Sequence, residues 1–223
     1  MKSIKQGNLT LTWNKKCGCF QFSLPPRLSC PGVEERLKNP KSICQFCYAF
    51  NGRSGQIKTA KVLLRKNYLF TSTNTLHQHI LAFEVLLDKA VQKVPYFRWF
   101  GCGDICSARM LDTMRIVARV FSRTHFWCPT QTPISHAMRM ELPKNLVIRQ
   151  SATCIGDPAP PGGHCTLLPG QKAPRGTFTC PGKCGPCRKC WEPWKPETRI
   201  AFPFHGSACL MAKFKKARRI HQF

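Results

Sequence analysis

Apolar and polar positions change rhythm along the chain, and each change predicts a different kind of structure. Near the N-terminus, "LTLTW" (Leu9 to Trp13) and "CFQFSL" (Cys19 to Leu24) read as short strands before the Pro25–Pro26 punctuation. From residue 57 the apolar spacing lengthens to that of a helix. Ile57, Ala60, Val62, Leu63, Leu64 and Tyr68 mark one segment, and Ile80, Leu81, Phe83, Leu87, Ala90 and Val91 a second, from His77 to Lys93. Beyond residue 95, short apolar runs alternate with helical ones. Strands are predicted over Tyr96–Phe100, Thr124–Cys128 and Leu146–Ser151, with a helix capped by Ser107 and a shorter one over Ile134–Met140 between them. A later strand follows at Arg199–Phe204. This β-α-β-α-β order predicts parallel strands joined by crossover helices.

Parallel sheets gather chemistry at the C-terminal ends of their strands. Here those ends carry Asp104, Gln131 after Thr130, Gln150 before Ser151, and His205. Each alone suits a turn or cap; together they mark a candidate catalytic cleft.

Composition adds two anomalies to an otherwise ordinary globular chain of 223 residues with 43% hydrophobic content. Lys and Arg number 35 against 10 Asp and Glu, a net charge of +25. A field of that sign favours polyanions, so nucleic acid is the expected partner. No apolar run has membrane-span length, and the N-terminus lacks the apolar core of a secretory signal.

The second anomaly is 15 cysteines, many clustered at gaps too short for unstrained disulfides. Inside a reducing cell such clusters indicate metal. Cys180, Cys184, Cys187 and Cys190 form a C-x3-C-x2-C-x2-C run that resembles ferredoxin-type spacing more closely than paired zinc knuckles. Glycines and prolines between them permit tight bends that aim amides at sulfur. A second group is Cys30 followed by the Cys44-x2-Cys47 pair, with Tyr48 directly after. Three thiolates leave one iron of a 4Fe–4S cluster open to substrate or cofactor. Zinc is the alternative, with Cys17 or Cys19 as fourth ligand; Cys102 and Cys106 are further candidates to complete a cluster.

The elements "FSLPPRLSCPG…CQFCYAFNGR", a helix carrying "RKN", a strand ending in "GD" and the late "CPGKCGPCRKCW" together resemble the phage protein family named for mycobacteriophage gene product 88. The resemblance runs from about Phe22 to His205 and implies expression in a host cytoplasm. More distantly, the chain is similar to radical S-adenosylmethionine enzymes. That likeness implies cluster ligation by Cys30, Cys44 and Cys47, and cofactor contacts from Tyr48, Gly101, Gly103 and Asp104. It also implies an auxiliary cluster at Cys180–Cys190.

The expected fold class is thus α/β, a partial (β/α) barrel-like core of parallel strands with cysteine-rich metal-binding loops. One domain is expected, organised as residues 1–153 (strands, βα core and first cysteine group), 154–198 (cysteine-rich insertion) and 199–223 (last strand and basic tail). Two functions fit. One is an iron–sulfur enzyme with one or two 4Fe–4S clusters and S-adenosylmethionine, acting on nucleic acid or a nucleotide. The other is a non-catalytic, metal-stapled regulator that binds nucleic acid or host machinery.

Overall fold

Alternation in the N-terminal segment becomes a meander. β1 (Ser3–Gln6), β2 (Leu9–Asn14) and β3 (Cys19–Gln21) pair antiparallel in sequence order. The computed structural model describes residues 2–51, 57–182 and 184–204. After β3 the chain makes its helical excursion and returns parallel. β4 (Tyr96–Arg98), β5 (His125–Thr130) and β6 (Leu146–Gln150) add one by one to the growing edge. The six-stranded sheet therefore has the order β1-β2-β3-β4-β5-β6, mixed at one side and parallel at the other. It is α/β as the pattern predicts, and among the described residues it does not close into a barrel.

The crossover helices follow the expected segments with small shifts at their ends. After the short α1 (Val33–Lys38) and α2 (Tyr48–Asn51) come α3 (Lys58–Thr73) and α4 (Leu76–Val91), which occupy the two long periodic stretches. Thr75 and Gln78 form a reciprocal capping box at the start of α4, satisfying backbone donors left open at a helix start. Ser107 accepts from the Met110 amide at 3.1 Å and starts α5 (Ala108–Val120) where its sequence indicates. α6 (His136–Met140) is shorter than predicted.

Cross-strand partners share a sheet face, so the register sorts the two layers. Phe20, Phe97, Phe126 and Leu146 form one row, buried against Phe83, Leu87, Met110, Met114 and Val117 of α4 and α5. Gln21, Arg98, Trp127 and Val147 form the adjacent row on the opposite face. Trp127 there packs against Trp191 at 5.0 Å, in the cysteine-rich segment. The sheet thus has helices on one side and that segment on the other.

Within the segment, the structure adds two strands to the predicted one. β7 (His164–Leu167) and β8 (Thr177–Thr179) flank β9 (Arg199–Pro203), all parallel, in the order β7-β9-β8. The late strand is therefore the centre of a second sheet and not the last strand of the first. One parallel bridge, Ser151 to His164, links the end of β6 to the start of β7.

Two anchors hold this layer down. Trp191 Nε1 donates to the Phe97 carbonyl of β4 at 3.0 Å. Arg149, on β6 and fully buried, donates to the carbonyls of Gly162, Cys190, Glu192 and Lys189 at 2.8, 3.1, 2.9 and 3.4 Å.

His164 joins the two sheets chemically as well. Its Nε2 lies 2.7 Å from Ser151 Oγ, and burial, with Arg149 and Arg98 nearby, pulls its pKa down to about 3. The unfolded chain then binds the extra proton first, so this contribution is complete above the ordinary histidine pKa near 6.5. It is lost as pH falls from there toward 3, at up to about 1.4 kcal/mol per pH unit. Urea unfolding of chelator-treated protein at pH 7 and pH 5 should show that loss. In His164→Asn the pH slope should flatten; an unchanged slope would assign it to other groups.

Candidate metal centres

The first cysteine group lies at the C-terminal ends of β3 and β4. The loop after β3 carries Cys30, a short 3-10 turn (Ile43–Phe46) places Cys44, and Cys47 precedes α2. Arg36 Nε donates to Cys44 Sγ at 3.4 Å. Cys102, on the loop after β4, comes close enough for the charges of Cys47 and Cys30 to act on it. Burial raises the thiols of Cys30 and Cys102 to about 12, and raises Cys47 as well. These sulfurs are neutral at physiological pH, and taking up a cation would release their protons. Cys106 is raised by burial and by Asp104, a different environment from that of Cys102.

The loop is fixed from behind. Asn67 of α3, the asparagine of the "RKN" element, is fully buried; its side-chain amide donates to the carbonyls of Ser23 at 2.9 Å and Thr10 at 3.1 Å. Its oxygen accepts from the Thr10 amide at 2.8 Å, tying helix, strand and loop together.

Tyr48 extends from α2 across the same edge. Its hydroxyl donates to the Gly101 carbonyl and accepts from Arg98 Nη2 at 3.4 Å. Gly101 is filled by protein: a Cβ there would fall 2.3 Å from Gln21 Nε2. Gly103, at φ 82, would collide with Leu24 and Ser29. Both glycines therefore serve close packing of backbone against side chains.

Of the cleft candidates, Asp104 is buried and saturated. Its carboxylate accepts from Thr130 Oγ1 at 2.5 Å and from the amides of Ile105 and Gln131 at 2.7 and 2.8 Å. Burial outweighs those donors and raises its pKa. Gln131 Nε2 donates to the Ala152 carbonyl at 3.0 Å. Gln150 sits half-buried at the end of β6 beside Ser151. The structure thus brings Asp104 and Gln131 together as a joint between strand ends. His205, Cys209 and the basic tail lie outside the described residues.

The late group behaves differently. Cys180, Cys184 and Cys190 pack in one cluster with Trp127 and Trp191, and Cys17 and Cys19 belong to the same cluster. Cys17 lies close enough to Cys184 and Cys19 for their thiols to act on it. Those contacts, Cys184 first, hold Cys17 far below the usual thiol range; burial opposes them and Arg98 assists. Cys19 and Cys184, as the donors, are pushed up. Arg98 Nη1 reaches Cys17 Sγ at 3.7 Å, and the Gly182 amide donates to Cys180 Sγ at 3.4 Å. Burial also raises Cys190 to about 12.

Sequence proximity suggested Cys17 or Cys19 as the missing ligand of the first group. Cys17 instead lies in the turn before β3 and Cys30 beyond its other end, so the strand separates them. The remaining cysteines are plainer. Cys128 is a small core residue, and Cys154 Sγ accepts from Asn39 Nδ2 at 3.4 Å. Among the described residues, no three His, Cys, Asp or Glu side chains stand close enough to coordinate one ion without adjustment.

A family model described as Gene product 88 matches residues 2–165. It ends before the late cysteine run. No curated protein and no solved structure matches the chain. Nothing in these comparisons supports a radical S-adenosylmethionine relationship. No helix among the described residues is long and apolar enough to cross a membrane.

Proposed function

The chain belongs to the Gene product 88 family of phage proteins, and on that premise we propose that it is an iron–sulfur protein acting on nucleic acid in the host cytoplasm. One observation carries this reading. In both cysteine groups an N–H donor is aimed at sulfur, Arg36 at Cys44 in the first, Gly182 at Cys180 and Arg98 at Cys17 in the second. Hydrogen bonds to sulfur of this kind tune the potential of a cluster held by it.

Cys30, Cys44 and Cys47 hold the first cluster at the strand ends, with Cys102 as the fourth thiolate. The late run holds a second. A bound 4Fe–4S cluster supplies one-electron chemistry. The chain positions it and balances thiolate charge with Arg36 and Arg98. The sequential parallel strands that display the first site would correspond to a partial (β/α) barrel. The charge of +25 supplies the attraction for nucleic acid.

Anaerobic reconstitution followed by iron and acid-labile sulfide assays tests the reading. A brown protein with roughly equal iron and sulfide is expected. Colourless protein with stoichiometric zinc would sink it.

A second reading, a non-catalytic regulator stapled by metal, has its own support. The polar strand ends are already engaged, Asp104 by Thr130 and Gln131, and Ser151 by His164. The outer face of α3 carries Lys58, Lys61, Arg65 and Lys66, all exposed and outside the ion pairs formed among the described residues. Substituting those four by Gln should weaken nucleic-acid binding and flatten its salt dependence, whereas equal slopes would place the contact elsewhere.

A further inference from the structure

We infer that the late metal site is bipartite, its ligands being Cys17 from the N-terminal hairpin with Cys180, Cys184 and Cys190, and that Cys187 stands outside the set. This rests on the reading that the cysteine groups bind metal, and goes beyond it by joining the two ends of the described chain in one site.

The geometry argues for Cys17 in three ways. Its side chain packs in the same buried cluster as Cys180, Cys184 and Cys190. Cys184 in turn lies near enough to Cys17, Cys190 and Cys180 for the charge of each to act on it. The backbone is sewn across the same junction: the Cys184 amide donates to the Lys16 carbonyl at 3.1 Å. Arg188 Nη1 donates to the Cys17 carbonyl at 2.6 Å, and its Nη2 reaches that of Gly18 at 3.5 Å.

The same contacts argue against Cys187. Arg188 adopts a left-handed conformation at φ 43. That turn commits Arg188 to the hairpin, stacked over Tyr96 at 4.2 Å and Trp191 at 5.3 Å. Cys187 is near enough for its charge to act on Cys190, but it lies outside the packed cluster that holds Cys17, Cys180, Cys184 and Cys190. The three late ligands are carried by anchored backbone: Cys180 N–H donates to the Ala201 carbonyl of β9 at 2.8 Å, Cys184 is tied to Lys16, and Arg149 holds the Cys190 carbonyl.

Coordination chemistry favours the same partition. Thiolates drawn only from a tightly spaced run approach from one side, whereas a ligand from the facing hairpin lets four donors surround the centre. Cys19, in contact with Cys17, is left to hydrogen-bond a ligand sulfur from outside. The adjustment needed to draw the thiols together is available in the loop, since Gly182 and Gly185 both face open space.

The test loads the full-length, metal-free chain with Co2+ and counts equivalents by native mass spectrometry, alongside the thiolate-to-cobalt absorption. Cys17→Ser should lose one equivalent and part of that absorption, and Cys187→Ser should keep both at wild-type level. Retention in Cys17→Ser, or loss in Cys187→Ser, overturns the assignment. Should Cys17→Ser fail to fold, Cys187→Ser decides alone, because an equivalent lost there places the fourth ligand inside the run. A wild-type chain that takes up no cobalt removes the broader metal reading, a result distinguishable from either variant outcome.

Discussion

Arg149→Met should destabilise the protein by about 3 kcal/mol or more, among the largest losses expected from any single substitution outside the cysteines. The guanidinium is fully buried, and the partners of its donors are four backbone carbonyls, those of Gly162, Lys189, Cys190 and Glu192. Methionine fills much of the volume but leaves those carbonyls without donors, and each buried orphan costs about 1–3 kcal/mol. Lysine is a poor substitute, since one ammonium cannot reproduce a planar fork that reaches carbonyls on two separate segments. For a chain of this size the loss corresponds to a fall in Tm of roughly 6–12 °C. Thermal unfolding would read it directly, and Cys190 should label faster as its loop lifts from β6. A variant within about 1 kcal/mol of wild type would mean that Trp191 and the β7-β9-β8 sheet hold the layer without this clamp.

Cys102→Ser is expected to have the largest effect on the first site, and it separates two kinds of cluster. If Cys102 is the fourth thiolate, the serine variant should lose that cluster's share of iron and sulfide on anaerobic reconstitution, as Cys47→Ser should. Cys106→Ser should keep both, because the influences on Cys106 are burial, Ser107 and Asp104. Full iron in Cys102→Ser, with loss in Cys30→Ser, Cys44→Ser and Cys47→Ser, would point instead to three protein ligands and an open iron. That outcome would return the protein to substrate-binding cluster chemistry.

How much of this was legible beforehand follows from how local each signal is. The parallel strands and the two long helices were readable because apolar spacing is set by the element itself. β1 escaped because "SIKQ" is a largely exposed edge strand with no apolar face to betray it. β7 and β8 are three or four residues long, and pairing with β9 defines them more than any pattern of their own. Spacing alone marked out two cysteine groups, and of the late one the structure packs Cys180, Cys184 and Cys190 into one cluster. The nearness of Cys17 to the late run was not legible, because it depends on Arg188 meeting the Cys17 carbonyl and Cys184 meeting the Lys16 carbonyl across the fold. Asp104 was picked out as a carboxylate at a strand end; the donors it accepts from, Thr130 Oγ1 and the Gln131 amide, come from the neighbouring strand end and were not legible in the sequence.

The hydrogen bond between Arg188 and Cys17 spans a sequence separation of 171, and that span has a consequence in time. A ribosome adding about 5–20 residues per second releases the N-terminal hairpin roughly 10–30 s before the segment that covers it. Through that interval Cys17 and Cys19, joined by Trp127 only about two-thirds of the way along, stand without their lid, at a moment when thiols are open to stray metals and oxidants. The order of synthesis therefore makes the exposed sheet face, more than any helix, the stage at which a nascent chain would need protection.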